Sequence, residues 1–302
     1  MAFLDITQEI EVLKKQRGAV ILAHYYQRPE VQDIADYVGD SYALSKLAKE
    51  LPQQVIVFCG VHFMAESAKI ISPEKTVLLP DLNAGCPMAE MVGEEDVIAL
   101  KKAHPNAAVV CYVNSTAKVK ALSDICCTSS NAIRVVNSLP QEDIIFIPDQ
   151  NLGHYVAQKV PEKNIILFDG YCITHHRIKA DDVIKAREAL PDAVFAVHPE
   201  CKPEIVEMAD FVGSTSEIID FVSNSPKEKF IIGTEMGVLH PIQKRNPNKR
   251  LYLLSQGLVC PNMKKITLEN VKNALLNNEY EMKLDDETIK KARNSLDKML
   301  MV

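Results

Sequence analysis

Three similar α/β units, each a small parallel sheet flanked by helices, are the architecture this sequence predicts. A strand leading to a cysteine occurs three times: KTVLLPDLNAGCP (75–87), KNIILFDGYC (163–172) and KRLYLLSQGLVCP (249–261). Each opens on a lysine just before an apolar run, passes a glycine and ends at Cys86, Cys172 or Cys260, and these fall 86 and 88 residues apart. Other landmarks recur in the same order. AVILAHYY (19–26), AAVVCYVN (107–114) and AVFAVHPE (193–200) are followed by QVIVF (54–58), DIIFI (143–147) and KFIIG (229–233). Between them, a small residue and Asp lead through an apolar pair to a hydroxyl that falls in register, at Ser41, Ser129 and Thr215. A fixed period carrying several landmarks marks a repeated architecture.

Each element has a local reason. Ile6, Ile10 and Leu13 share one face of a helix over 5–17, which Gly18 can cap. In the first unit, AVILA is a buried strand, 29–35 a short helix, YVG a short strand and 41–51 a helix. VIVF and TVLL are strands separated by a helix over 62–71, and a helix over 90–103 crosses to the second unit. Continuous apolar runs suit parallel strands covered on both faces, and the alternation implies right-handed βαβ crossovers. The units are expected at 1–104, 105–190 and 191–262, each short enough to need its neighbours. The tail, 263–302, reads as helical and packed on the repeats. Asp285 caps a helix that turns Ile289, Ala292 and Leu296 inward.

Composition narrows the function. The chain has 302 residues, 47% hydrophobic and 25% charged, which is an ordinary globular balance. A net charge of −6 argues against a general nucleic-acid binder. There is no apolar run long enough to span a bilayer, and MAFLDITQEIEVLKKQRG does not read as a signal peptide, so a cytoplasmic protein with no membrane partner is expected. Disulfides are rare there, which leaves the eight cysteines as buried thiols, metal ligands or nucleophiles. No P-loop or dinucleotide fingerprint is present.

Ligands of parallel α/β sheets bind beyond the carboxyl ends of the strands. There the first strands place His24 and Tyr26, Tyr112 and Asn114, and His198 and Glu200, and the last strands place the three cysteines. A pseudo-threefold arrangement would gather these ends at one centre, whereas a linear stack would be equally periodic. Ser41, Ser129 and Thr215 precede helical segments, either as N-caps or as an anion-binding ring at helix N-termini. Cys59, Cys111, Cys126, Cys127 and Cys201 read as small buried hydrophobes. Cys86, Cys172 and Cys260 lack the close C-x-x-C pairs of structural zinc sites. They suit an iron–sulfur cluster with one iron left without a protein ligand, able to act as a Lewis acid on a substrate oxygen. Histidine, carboxylate and two phenols nearby would form an acid–base set for enolisation and dehydration. Taken singly, His24, His198, Tyr26 and Tyr112 are equally compatible with structural roles. His175 and His176 read as loop residues or as partners of the metal ligands.

AHYYQRPEVQDIADYVGDS, CYVNS, the TSSNA after Cys127, FDGYCITHHRI, AVHPEC and GSTS resemble the quinolinate synthase family, the A protein of NAD biosynthesis, over essentially the whole chain. The resemblance implies three α/β domains about a pseudo-threefold axis and a central [4Fe-4S] cluster held by Cys86, Cys172 and Cys260. It also implies condensation of iminoaspartate with dihydroxyacetone phosphate to quinolinate, with loss of phosphate and water. An iminoaspartate-producing oxidase or dehydrogenase would be the functional partner. Carried over by position, the substrate contacts are His24, Ser41, Tyr112, Val113, Asn114, Ser129, His198, Pro199, Glu200 and Thr215. Tyr26, Glu200, His198 and Tyr112 are the catalytic candidates, with Tyr26 and Glu200 foremost for proton transfer. Some members of the family carry extra cysteines beside the third ligand. This chain has CPNMKK there, which excludes a redox-switch disulfide at that point. Two other readings share some features: an iron–sulfur hydro-lyase acting on a small polycarboxylate, and a non-enzymatic iron–sulfur redox sensor.

Overall fold

A computed structural model describes residues 5–302. It contains three four-stranded parallel sheets. The first holds β1 (Ala19–His24), β2 (Tyr37–Gly39), β3 (Val55–Cys59) and β4 (Thr76–Leu78), in the order β2-β1-β3-β4. The second holds β5 (Ala108–Tyr112), β6 (Ile125–Cys127), β7 (Asp143–Ile147) and β8 (Asn164–Leu167), in the order β6-β5-β7-β8. The third holds β9 (Val194–Val197), β10 (Phe211–Val212), β11 (Lys229–Gly233) and β12 (Arg250–Leu253), in the order β10-β9-β11-β12. The three topologies are identical, which agrees with the expectation of three similar α/β units with parallel sheets. The register matches too: Ala23 pairs with Cys59, Cys111 with Ile147 and Val197 with Gly233. His24, Tyr112 and His198 are therefore equivalent positions, and so are Tyr26, Asn114 and Glu200.

The recurring Asp and Lys of the sequence do the same work in each unit. Asp36, Asp124 and Asp210 each accept, at 2.8 Å, the N–H of a residue in the first strand: Ile21, Val109 and Phe195. Each also donates its own N–H to that residue's carbonyl, which ties the loop ahead of the second strand to the first. Lys75, Lys163 and Lys249 donate to carbonyls at the end of a helix: Ala48 and Leu51; Leu139 and Gln141; Val222, Ser223 and Ser225. A cation at a helix C-terminus meets the negative end of its dipole and satisfies carbonyls that the helix leaves free.

Alternation along the strands fills the core. In the third unit, Phe195, Val197 and Ile231 pack on one face of the sheet, and Ala196, Phe230 and Ile232 on the other. Each fully buried side chain of this size contributes about 1.5–3 kcal/mol. The first two units and the tail share one continuous core. Within the tail, the Leu268–Asn277 helix packs on the Ile6–Arg17 helix, and the Asp286–Met301 helix packs on the Ala117–Ala121 helix and β6. Asp285 caps the last helix through the N–H of Thr288, with Ala292 and Leu296 buried and Ile289 half-buried. Residues 280–282 bond along β4 and cover that edge of the first sheet. No described helix is long and apolar enough to cross a membrane.

Two expectations need correction. The helix expected over 90–103 is a 3-10 turn, Pro87–Glu90, followed by a helix over Glu94–Ala103. Gly93 separates them and accepts the N-cap position, its N–H taken by Asp96 at 2.8 Å. The expected N-caps are also displaced. Asp40 and Ser214 are the caps, accepting from the N–H groups of Ala43 and Glu217. Ser41 and Thr215 are the first helical residues, and Ser129 stands three residues ahead of the Ala132–Ser138 helix. Their hydroxyls are thus not spent on capping.

Candidate active site

The carboxyl ends of all three sheets line one cavity of about 70 Å³. His24, Tyr26, Ser41, Tyr112, Asn114, Ser129, His198, Glu200 and Thr215 line it together with Cys86, Cys172 and Cys260. Val113 and Pro199, expected with their neighbours, do not. The reason is the turn that follows the first strand of each unit: the positions of His24 and Tyr26 face the cavity, and the intervening one (Tyr25, Val113, Pro199) faces away. Val113 is buried in the shared core, and Pro199 lines a neighbouring cleft with Ser129 and Arg134.

The units are joined around this cavity. Between the first and third, the Tyr26 hydroxyl lies 2.9 Å from Thr215 Oγ1 and 3.0 Å from Thr234 Oγ1. Ser216 donates to Asp40 at 2.6 Å. The buried Gln32 amide donates to the carbonyls of Tyr25, Gln27 and Gly237. Between the second and third, Tyr112 donates to Glu200 at 2.7 Å, and His198 Nε2 lies 3.3 Å from Ser129 Oγ. Between the first and second, Glu66 accepts the N–H of Ala117 at 3.0 Å.

One hydrogen-bonded chain crosses the site. Glu200 Oε2 lies 2.7 Å from His175 Nδ1, and His175 Nε2 lies 2.9 Å from Thr234 Oγ1, which reaches Tyr26. A carboxylate only accepts, so a neutral His175 carries its proton on Nδ1 and leaves Nε2 to accept from Thr234. Thr234 then accepts from Tyr26. The chain therefore runs Tyr26–Thr234–His175–Glu200, with each proton directed toward the carboxylate.

Charge states follow from burial and neighbours. Burial opposes ionisation of Glu200, but His198, His175 and the Tyr112 hydrogen bond outweigh it and bring it down to about 2. Burial lowers His24 to about 3, assisted by Lys264, and His198 to about 3 against the pull of Glu200. Both are neutral near pH 7. Burial, reinforced by Glu200, raises the phenols of Tyr26 and Tyr112 well above their usual range. Burial likewise pushes Cys86 up to about 12 and raises Cys172 and Cys260. Cys59, Cys111, Cys126, Cys127 and Cys201 are buried, as expected of small core residues.

Sequence reasoning undervalued His175 and missed Thr234, Asp149 and Glu235. The two histidines after Cys172 differ: His175 is buried in the chain just described, whereas His176 stacks on Tyr171 with ring centres 4.2 Å apart, outside the cavity. The missed residues stand one and two places beyond the third strand of each unit, where Gly60–Val61, Pro148–Asp149 and Thr234–Glu235 are equivalent. Comparing those three pairs would have found them. Among the described residues, Cys172, His175 and Glu200 form a group of three whose donor atoms lie within 4.8 Å of one another and could hold a metal ion.

Comparison with known proteins is consistent across the chain. The profile of the family described as quinolinate synthetase A protein matches residues 8–301. A quinolinate synthase of Caldicellulosiruptor saccharolyticus is 58% identical over 295 residues, covering 98% of this chain and 97% of its own. That of Alkaliphilus metalliredigens is 56% identical over 298 residues, covering 99% and 98%. That of Clostridioides difficile is 53% identical over 292 residues, covering 97% and 96%.

Proposed function

Because this chain belongs to the quinolinate synthetase A protein family, we propose that it is the enzyme that makes quinolinate for NAD biosynthesis. Its substrates in this reading are iminoaspartate and dihydroxyacetone phosphate, condensed with loss of phosphate and water. The carrying observation is the single cavity in which three cysteines, one from each unit, adjoin the Tyr26–Thr234–His175–Glu200 chain.

The donor set fits a [4Fe-4S] cluster held by Cys86, Cys172 and Cys260. All three thiols are partly buried and disfavoured as free thiolates, so an adjacent cation is what would ionise them. The tight group Cys172–His175–Glu200 is the rival for a single ion. Its His175 and Glu200 atoms, however, already bond each other at 2.7 Å. When bound, the cluster supplies a Lewis-acidic iron that polarises a substrate oxygen.

The chain's own residues supply the rest. Both substrates are anions, yet no lysine or arginine is among the described residues lining the cavity. Neutral donors remain: the hydroxyls of Ser41 and Ser129 and the first turns of the Ser41–Glu50 and Thr215–Asn224 helices, while Thr215 donates its own hydroxyl proton to Tyr26. The Asn114 side-chain oxygen is buried without a partner, as expected of a group that awaits a ligand. Tyr26 takes a proton from substrate carbon as it passes its own along Thr234 to His175, whose charged form Glu200 stabilises, and the reverse path returns a proton to a leaving hydroxyl. Tyr112 holds the other Glu200 oxygen, and neutral His198 orients Ser129. The cytoplasm is the compartment this chemistry suits, with an iminoaspartate-forming oxidase or dehydrogenase supplying the labile substrate.

Anaerobically reconstituted protein given both substrates should form quinolinate, and should form none with either alone. No product, in protein carrying about four irons and four sulfides per chain, would sink the assignment. One iron without sulfide would favour the single-ion group instead.

A further inference from the structure

We propose that Asp149 and Glu235 are positioning residues that clamp the main chain of Cys172 and Cys260 and so set where those thiols point. The inference rests on the reading that these cysteines hold the cluster. Both carboxyls are completely buried and stand at equivalent positions, two residues beyond β7 and β11. Each divides its oxygens in the same way. Asp149 accepts the N–H of Leu152 through Oδ1 at 2.8 Å and that of Cys172 through Oδ2 at 3.1 Å. Glu235 accepts the N–H of Gly237 through Oε2 at 2.7 Å and that of Cys260 through Oε1 at 3.1 Å. One oxygen thus grips the segment after the third strand, and the other grips the cysteine's own amide.

The first unit provides the comparison. In all three units one main-chain bond joins the two segments: His62 N–H to Ala84 O, Gln150 N–H to Gly170 O, and Met236 N–H to Leu258 O, at 2.7, 2.8 and 2.9 Å. Each acceptor lies two residues before the cysteine. At the clamp position, however, the first unit has Val61, so Cys86 has no carboxylate there. Val61 shows that the scaffold closes with an apolar side chain at this place. Burying a carboxyl instead is expensive. Glu235 is offset by Lys264 at 3.0 Å, whereas the bonds of Asp149 are to main-chain N–H groups. What the acids add over valine is the hold on the cysteine amide. Partners of this kind fix ligand orientation at metal sites.

The test uses two pairs of variants. Asp149→Asn and Glu235→Gln keep an acceptor oxygen, while Asp149→Leu and Glu235→Met keep volume without one. Cluster loss to an iron chelator, followed by visible absorption in reconstituted protein, should be about tenfold faster in the Leu and Met variants, the factor one lost hydrogen bond gives. It should stay within about threefold of the parent in the Asn and Gln variants. In apoprotein, hydrogen exchange at the Cys172 amide should rise about tenfold in Asp149→Leu, with Cys86 and Cys260 unchanged, and Glu235→Met should do the same at Cys260 alone. Leu and Met variants that hold cluster and amide as firmly as the parent would overturn the inference. If the parent itself assembles no cluster, the cysteine reading fails, and the apoprotein exchange still decides whether the clamps exist.

Discussion

Replacing Thr234 by valine removes one hydroxyl while keeping the shape of a completely buried side chain. That oxygen stands 2.9 Å from His175 Nε2 and 3.0 Å from the Tyr26 hydroxyl. The two partners fare differently. Tyr26 retains Thr215 at 2.9 Å, and His175 retains Glu200 at Nδ1, but His175 Nε2 is left without a partner. An orphaned buried acceptor costs about 1–3 kcal/mol, so chemical denaturation should show a stability loss in that range. The larger effect is on turnover. A broken proton path removes a contribution of about 10²–10⁴ in kcat, with KM little changed because Thr234 is not among the cavity-lining groups. Thr234→Ser restores the oxygen and should recover most of the rate. Tyr26→Phe cuts the same chain at its next link, so the double variant should be no slower than the worse single one. Full additivity of the two losses, or Thr234→Val turning over within threefold of the parent, would refute the relay.

Acid should loosen the apoprotein through His24 and His198, which burial holds at about 3 against an ordinary 6.5. The unfolded chain takes up protons below pH 6.5 that the native one refuses, so stability falls as pH drops from 6.5 toward 3. At pH 5 each histidine accounts for about 2 kcal/mol. His198→Gln should shrink the difference between pH 7 and pH 5 in urea denaturation by that amount, and an unchanged difference would disprove the assignment. Lys249→Met should cost about 2 kcal/mol by stranding the carbonyls of Val222, Ser223 and Ser225. The exposed Lys290→Met should cost under about 0.5 kcal/mol, and equal losses would refute the capping role. A methyl group at Gly237 would lie 2.4 Å from the Tyr25 carbonyl oxygen and 2.8 Å from Tyr26 Cα. Both are main chain and yield poorly, so Gly237→Ala should destabilise by about 1–3 kcal/mol and displace Tyr26. Parental stability and kcat would contradict the tight contact.

The scaffold was legible because it repeats. Asp36, Asp124 and Asp210 do one job, Lys75, Lys163 and Lys249 another, and a job done three times leaves three copies in the sequence. The strand-end residues were legible for the same reason. The displaced caps were harder, because Asp40 and Ser41, or Ser214 and Thr215, are both plausible caps one residue apart, and only the helix start distinguishes them. Val113 and Pro199 entered the expected contacts because a motif is quoted as a continuous run, whereas the turn after each first strand turns its middle residue away from the cavity.

The chemistry is written where the repeat is broken. At the position after the third strand, Gly60, Pro148 and Thr234 are equivalent, and only Thr234 offers a hydroxyl to His175 and Tyr26. Three positions after the cysteine, Ala89, His175 and Met263 are equivalent, and only His175 reaches Glu200. Among Tyr26, Asn114 and Glu200 no two share a side-chain type. Three equal units can bring three thiols to one centre, but moving a proton in one direction requires a donor at one end and an acceptor at the other. Averaging over the units makes the fold conspicuous and hides these departures. In a protein built by repetition, residues that differ at equivalent positions in or beside the cavity are therefore the ones to test for catalysis. By that criterion Thr234 and His175 stand beside Tyr26 and Glu200, although no repeated pattern singled them out.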